Sequence, residues 1–160
     1  AHCQVLHISG TLDWPAVEAQ AQRLPDGGSD ALQLNLRARY HAYPYLHDEM
    51  PLALAAADLV VARAGASTLG EFPALALPSI LAPYPYSGQH QEVNADYLAQ
   101  RGAAVKLPDA HLSAQLAPTV LRLLHNPAEL AAMSQAARSL AQPAAAESIG
   151  RELQRLAQTG

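Results

Sequence analysis

The stretch "DLVVARAGASTLGE", residues 58–71, indicates the fold of the whole chain. Apolar residues of strand type, 59–62, lead into a corner of small residues around Gly65 and Ala66. Hydroxyl residues and Glu71 follow at the spacing expected for the first turns of a helix. An apolar strand that turns through small residues into a helix is typical of a parallel α/β sheet.

The same alternation of strand and helix extends in both directions from this unit. Upstream, we predict a strand at "CQVLHIS", a helix at "WPAVEAQAQRL", a half-exposed strand at "ALQLNLR" and a short helix at "EMPLALAAA". Asp13 is the expected N-cap of the first helix, and Pro15 is tolerated in its first turn. Downstream, "PSILAP" and "AAVKL" predict buried strands, with a helix between them that stops at Gly102.

Three helical stretches close the chain. In the last of them, Ile149, Leu153 and Leu156 fall on one face, which predicts a helix docked on the core. Pro73 and Pro118 lie inside predicted helices, where each removes a backbone hydrogen bond and is expected to kink or shift the helix.

Continuous apolar strands alternating with helices predict an α/β fold. Because such strands are buried on both faces and crossovers are right-handed, we expect a Rossmann-like, doubly wound parallel sheet. At 160 residues with half of them apolar, the chain is expected to form one globular domain over residues 1–160. A net charge of −4, with no clustered basic stripe, argues against a nucleic-acid partner. The single cysteine, Cys3, excludes an internal disulfide.

The corner after the strand at 59–62 predicts an anion site. Ligands of open α/β sheets lie beyond the carboxyl ends of the strands, and the first amides of the following helix are expected to be unpaired. Phosphate is the usual occupant, with Ser67 and Thr68 as added hydroxyl donors. Glu71, one turn further, suits the two hydroxyls of a ribose. The structural alternative is that Ser67 or Thr68 only caps the helix and Glu71 is a first-turn dipole partner.

A second group of polar residues follows the next strand. Gln89, His90, Gln91 and Asn94 open the helix after "PSILAPYPYSG", and Gln91 and Asn94 share one face. Amide side chains both donate and accept, as recognition of sugar hydroxyls requires. The alternative is a polar helix start that is exposed to solvent.

These segments together resemble a known family. The run from "ADLVVARAGASTLGE" through "ALPSILAPYPYSGQHQEVNADYLAQRGAAVKL" resembles the C-terminal, nucleotide-sugar-binding domain of the MurG family. These are peptidoglycan N-acetylglucosaminyltransferases of the GT-B class. The stretches "HISG", "YLHDEMPLALAAADLVV" and "PAELAAMSQAARSLA" extend the resemblance over nearly the whole chain.

The resemblance implies roles for residues of three segments, all of them in binding the donor. The diphosphate is expected at Gly65, Ala66, Ser67 and Thr68, and the ribose hydroxyls at Glu71. The N-acetylglucosamine hydroxyls are expected at Gln91 and Asn94, with His90 adjoining. Uracil is expected at the backbone of His47, with Leu46 and Met50 nearby. No catalytic residue is expected in this chain.

The reaction implied is inverting transfer of N-acetylglucosamine from its UDP donor to the C4 hydroxyl of a MurNAc-pentapeptide carried on undecaprenyl pyrophosphate. The resemblance implies no bound metal and no cofactor, and it implies a peripheral location on the cytoplasmic face of the bacterial inner membrane. The lipid-linked acceptor and the proposed base would belong to an N-terminal domain.

The chain departs from the family pattern in three respects. At His90, family members usually have Gln or another residue. The glycine-rich G-G-S loop, the first strand and the N-terminal domain have no counterpart, so we expect a fragment that begins at the domain's second strand and is inactive alone. Pro73 and Ala76 replace a more usual small residue and glycine. Two other functions stay open: a non-catalytic UDP-sugar-binding module, and another GT-B glycosyltransferase or UDP-sugar epimerase.

Overall fold

The structure is a computed structural model that describes residues 3–26, 35–86 and 89–158. Its contacts divide the chain into two units, Ala1–Ala53 and Leu54–Gly160. Each unit contains a parallel sheet, and helices separate the paired strands along the chain. The predicted α/β, Rossmann-like class is confirmed, with the strands distributed over two sheets of two and three strands.

The first unit is built on two parallel strands, β1 (Val5–Ile8) and β2 (Tyr40–Tyr43), paired with Val5 opposite Tyr40. Helix α1 (Trp14–Ala21) lies between them in the chain. Helix α2 (Met50–Ala56) follows them, and only its residues up to Ala53 belong to this unit. Pro15 occupies the first turn of α1 as predicted. Asp13 is the N-cap residue, but its side chain makes no capping hydrogen bond.

The strand predicted at residues 31–37 is corrected in its described part. Residues 31–34 lie outside the described residues, and a 3-10 helix, Arg37–Arg39, occupies the end of the segment. The side-chain oxygen of Asn35 accepts a 2.8 Å hydrogen bond from the backbone N–H of Ala38. Asn side chains favour such local turns over a strand, so the strand begins only at Tyr40.

The second unit has the strand order β3-β4-β5, all parallel. Its elements in chain order are β3 (Val60–Ala62), α3 (Thr68–Ala74), β4 (Ser79–Leu81), α4 (His90–Ala99), β5 (Ala104–Lys106), α5 (Leu112–Leu124), α6 (Pro127–Ser139) and α7 (Ala145–Gln158). The central strand β4 is buried throughout, as predicted. The prediction that β3 is buried is wrong for Val61, which is 43% exposed, because β3 is an edge strand of this sheet.

The core of the second unit lies on both faces of β4. Successive side chains of a strand point to opposite faces, and Ile80 and Leu81 accordingly belong to different apolar clusters. Leu81 packs in a cluster with Phe72 of α3. Ile80 packs in a cluster with Leu123 of α5. This two-sided burial explains why the strand is a continuous apolar run.

Two residues in the left-handed region follow helices of the second unit. Gly102 has φ +77° just beyond α4, as expected for the glycine predicted to end this helix. Ala76 has φ 52° just beyond α3, a conformation that favours glycine over residues with a Cβ. Pro73 lies inside α3, which ends one residue later, and Pro118 lies inside α5.

The prediction that α7 docks its apolar face is wrong for the described chain. Ile149, Leu153 and Leu156 are 61%, 62% and 52% exposed, and α7 has no buried residue. Their one-sided spacing makes a helix amphipathic, but it does not provide a surface to cover that side. Within the described ranges, no helix is both long enough and apolar enough to cross a membrane.

Candidate functional site

The corner at the carboxyl end of β3 differs from the predicted anion site in one respect. We expected the first amides of α3 to be unpaired, but the backbone N–H groups of Thr68 and Leu69 donate to Gly65 O and Ala66 O, each at 3.3 Å. Among the described residues no acceptor is found for the amides of Gly65, Ala66 and Ser67. The amides open to a ligand therefore lie in the corner before the seven-residue helix.

The two hydroxyl residues of the corner differ in what surrounds them. Thr68 is only 5% exposed, and its hydroxyl donates to the carbonyl of Gly65 at 2.6 Å. This hydrogen bond therefore stabilises the backbone of the corner. Ser67 is exposed at the N-cap position and its side chain makes no capping hydrogen bond. A Cβ added at Gly65 would meet no atom within 4 Å, so this side of the corner is open.

Glu71 lies in the first turn of α3, as predicted. Its backbone N–H donates to Ser67 O at 2.9 Å, and its side chain is exposed. The alternative reading required a capping side chain at Ser67 or Thr68. Neither hydroxyl caps α3, because Thr68 bonds Gly65 and Ser67 makes no cap.

The structure joins the second polar group to this corner. The side-chain amide of Asn94 donates to Ala64 O at 3.0 Å, which ties α4 to the end of β3. The side-chain oxygen of Gln91 accepts from the backbone N–H of Tyr84 at 2.9 Å, which ties α4 to the segment after β4. His90 is the exposed first residue of α4. Gln91 and Asn94 are thus oriented by the backbone around them.

Sequence reasoning missed Arg63, which stands directly before the corner. Its Nη1 donates to Ala82 O at 3.2 Å and forms an ion pair with Asp109. Its guanidinium lies 5.4 Å from the ring centroid of Tyr84. The only signal in the sequence was a charged residue directly after an apolar strand, which does not reveal its partners.

The predicted uracil residues belong to the first unit. A cavity of about 510 Å³ there is lined by residues that include Leu6, Tyr43, Tyr45, Leu46, His47 and Leu52. Leu46 is buried, whereas His47 is exposed and its ring centroid lies 4.5 Å from that of Tyr45. The N–H of Met50 donates to His47 O at 3.3 Å. Met50 is not among the lining residues, and Tyr45 was missed by the sequence analysis.

Ion pairs join helix α4 to strand β5 and stabilise the fold. The ammonium of Lys106, in β5, donates to Asp96 at 2.7 Å and pairs with Glu92. Hydrogen bonds to Asp96 and then Glu92 raise the pKa of Lys106 above its ordinary value. No group of three His, Cys, Asp or Glu side chains that could hold a metal occurs in the described part of the chain.

These features define a class of protein: a Rossmann-like α/β domain whose open backbone amides and oriented polar side chains meet beyond the carboxyl ends of parallel strands. The chain belongs to the glycosyltransferase family 28 C-terminal domain family, whose model matches residues 1–149. The resemblance noted in the sequence is thereby confirmed.

Curated relatives agree with this family. A protein of Roseiflexus sp. (strain RS-1) is 43% identical over 91% of this chain and 36% of its own length. One of Desulforudis audaxviator (strain MP104C) is 50% identical over 73% of this chain and 32% of its own length. Both are named UDP-N-acetylglucosamine–N-acetylmuramyl-(pentapeptide) pyrophosphoryl-undecaprenol N-acetylglucosamine transferase. The chain thus spans about a third of the length of these relatives.

Solved structures agree as well. The crystal structure of Acinetobacter baumannii MurG matches 95% of this chain and 43% of its own, with a TM-score of 0.78 and 27% identity. Spinosyn forosaminyltransferase SpnP matches 98% of this chain and 44% of its own, with a TM-score of 0.62 at 17% identity. The second match shows the fold alone.

Proposed function

We propose that this chain is the donor-binding part of an N-acetylglucosaminyltransferase and that it binds UDP-N-acetylglucosamine. The observation that carries the proposal is the family match over residues 1–149, joined to 43% identity with a relative whose name states that transfer. The geometry of the site adds support for the individual contacts, which we assign one group at a time.

We assign the diphosphate to the corner after β3. The amides of Gly65, Ala66 and Ser67 support this assignment, because successive N–H groups without an internal acceptor form a concavity that suits phosphate oxygens. The exposed hydroxyl of Ser67 adds a donor, and Thr68 braces the corner. When the bond to the sugar breaks, negative charge grows on the departing UDP. Donors already in position stabilise that charge without having to reorganise.

We assign the ribose to Glu71. Its carboxylate is exposed and lies one helical turn, roughly 5 Å, beyond the corner. A carboxylate offers two acceptor oxygens, so it can receive hydrogen bonds from two neighbouring hydroxyls at once. The same charge would repel a phosphate, which favours a hydroxyl-bearing group at this position.

We assign the N-acetylglucosamine hydroxyls to Gln91 and Asn94, with His90 adjoining. The oxygen of Gln91 is engaged by the Tyr84 N–H, so its NH₂ group is the part offered to a ligand. The NH₂ group of Asn94 is engaged by Ala64 O, so its oxygen is offered. A sugar hydroxyl accepts and donates at the same time, so it matches one donor and one acceptor held in fixed orientations.

We assign uracil to the backbone of His47, with Leu46 and Met50 nearby. The uracil edge carries a donor and an acceptor like those of a peptide group, which suits recognition by backbone. The mostly apolar cavity beside Leu46 and the neighbouring rings of Tyr45 and His47 offer the apolar and aromatic surroundings that a base favours.

In the whole protein we infer inverting transfer of N-acetylglucosamine to the C4 hydroxyl of a lipid-linked MurNAc-pentapeptide. The acceptor and the base are assigned to a part of such an enzyme that this chain does not supply. The names of the relatives include a pyrophosphoryl-undecaprenol acceptor, and this supports a peripheral location on the cytoplasmic face of the bacterial inner membrane. Membrane fractionation of the full-length enzyme tests that location.

The test of donor binding is calorimetric titration of this chain with UDP-N-acetylglucosamine, UDP-glucose and UDP. We expect tighter binding of UDP-N-acetylglucosamine than of UDP-glucose. Glu71→Gln is expected to weaken all three by about 1–3 kcal/mol, because a charged acceptor of two hydroxyls is lost. Glu147→Gln is the matched control, since Glu147 pairs with Arg151 on exposed α7. A folded chain that binds none of the three, or a Glu71→Gln variant equal to wild type, contradicts the proposal.

A transfer assay separates the alternatives. The full-length enzyme, given UDP-N-acetylglucosamine and lipid-linked MurNAc-pentapeptide, is expected to form the disaccharide product. Binding without turnover in the full-length protein would favour the non-catalytic module, and turnover only with another UDP-sugar would favour another GT-B enzyme.

A further inference from the structure

We infer that Arg63 is a positioning residue for sugar recognition: it holds the segment after β4 so that Tyr84 can orient Gln91. The inference rests on the proposed function, in which Gln91 contacts the sugar. It adds a residue that touches neither the diphosphate nor the sugar, and it separates recognition of the sugar from recognition of UDP.

Arg63 joins the carboxyl ends of all three strands of the second unit. It follows β3 directly, and its Nη1 donates to the carbonyl groups of Ala82 at 3.2 Å and Pro83 at 3.5 Å, just after β4. The same nitrogen is paired with Asp109, three residues after β5. One half-exposed guanidinium therefore sets the spacing of three segments that are separated by up to 46 positions in the chain.

The link from Arg63 to the sugar residue passes through Tyr84. The guanidinium lies 5.4 Å from the Tyr84 ring centroid, within the range of a cation–π contact. The backbone N–H of Tyr84 donates to Gln91 Oε1 at 2.9 Å. The Arg63 contacts to the neighbouring carbonyls and to the ring thus hold the backbone whose amide fixes the Gln91 side chain.

The Tyr84 contact determines whether Gln91 offers its oxygen or its NH₂ group to a ligand. With Oε1 occupied by Tyr84, Gln91 offers its NH₂ group to a ligand. If the Tyr84 backbone moves away, the Gln91 amide is free to rotate and to offer oxygen in place of nitrogen. Loss of Arg63 should therefore weaken contacts to the sugar and leave the corner amides of Gly65–Ser67 unchanged.

A lysine in place of Arg63 should make only some of these contacts. The planar guanidinium can donate in its plane to carbonyl oxygens and an acid while its face covers an aromatic ring. An ammonium group keeps the charge and can pair with Asp109, but it is a compact point charge without that face. Arg63→Lys is therefore expected to fall between wild type and Arg63→Met.

The first test reads the proposed link without any ligand. Amide hydrogen exchange of Tyr84 is measured by NMR in wild type, in Arg63→Met and in the control Arg122→Met, which breaks a surface pair with Glu129. We expect exchange at Tyr84 to be about 3- to 10-fold faster in Arg63→Met, as for the loss of about one hydrogen bond. The control should match wild type. Unchanged exchange at Tyr84 in a folded Arg63→Met variant overturns the inference.

The second test compares two ligands in the same variants. Arg63→Met is expected to weaken the binding of UDP-N-acetylglucosamine about 3- to 10-fold and to leave the affinity for UDP within about twofold. Arg63→Lys should recover part of the lost affinity. In a Gln91→Ala background, Arg63→Met should have no further effect on either ligand, because the two residues act as one unit. Equal weakening of both ligands, or additive losses, overturns the inference.

The two tests separate this inference from the proposed function. If wild type binds neither ligand, the proposed function fails, and the exchange of Tyr84 alone decides whether Arg63 holds Gln91 in place. If wild type binds UDP-N-acetylglucosamine but Arg63→Met leaves its affinity unchanged, the proposed function stands and the positioning role of Arg63 is rejected.

Discussion

The two candidate binding regions differ in how their polar groups are held. In the second unit, Asn94, Gln91 and Thr68 each make a hydrogen bond to the backbone, so their orientations are set before any ligand arrives. In the first unit, the cavity near Leu46 is mostly apolar, and the contact of His47 with Tyr45 is between rings. One region is therefore suited to directional recognition by side chains, and the other to a flat group recognised by shape and backbone.

The largest expected effect is in the oriented region. Asn94→Asp removes the donor to Ala64 O and brings a carboxylate against that carbonyl, so a partly buried pair is broken. We expect a loss of about 1–3 kcal/mol in the free energy of unfolding, measured by urea titration followed by circular dichroism. Gln115→Glu, on the exposed face of α5, is the matched control. Equal stability of Asn94→Asp and wild type would mean that this bond does not hold the corner.

The next effect is smaller and of opposite sign. Ala76 adopts φ 52° after α3, where a Cβ costs roughly 1–2 kcal/mol relative to glycine. Ala76→Gly loses a buried methyl group but relieves that strain, so we expect a net gain of about 1 kcal/mol in the free energy of unfolding. Thermal unfolding of the variant beside Ala74→Gly, inside the same helix, checks the sign, since Ala74→Gly should destabilise.

A weaker effect concerns pH and the hold of α4 on β5. Asp96 and Glu92 raise the pKa of Lys106, the only lysine of the chain, above its ordinary value. A raised folded-state pKa contributes stability that is present below pH 10.5 and is lost as pH rises through the folded pKa. Because all three side chains are partly exposed, we expect less than about 1 kcal/mol. The difference in unfolding free energy between wild type and Lys106→Met should therefore shrink only as the pH is raised beyond 10.5.

The smallest expected effect is in the apolar region. If His47 serves the base through its backbone, His47→Ala should change UDP affinity by less than about twofold, within about 0.5 kcal/mol. Leu46→Ala is the comparison variant. It removes a buried side chain beside the cavity and should weaken the binding of UDP. Calorimetry on both variants decides. A large loss in His47→Ala would show that its ring, which lies tilted against that of Tyr45, takes part directly.

Much of the fold could be predicted because its signals are local. The apolar runs at β4 and β5, the stop glycine after α4 and the small-residue corner before α3 all depend on residues close together in sequence. The strand expected at 31–37 failed in its described part because Asn35 makes a local turn that outweighs the alternating pattern. The prediction that α7 docks on the core was wrong, because an apolar face shows only that a helix could pack against a partner. In the described part of the chain this face stays mostly exposed.

By itself the sequence determined the α/β class, the family and the residues offered at the strand ends. Only the tertiary structure decided how those residues are used: that the Thr68 hydroxyl bonds Gly65, that Asn94 holds Ala64, and that Arg63 links three strand ends. The physical reason is distance along the chain. Periodicity and turn chemistry act between neighbours, whereas Asn94 and Ala64 are 30 positions apart, and such a pair becomes visible only when the folded sheet brings it together.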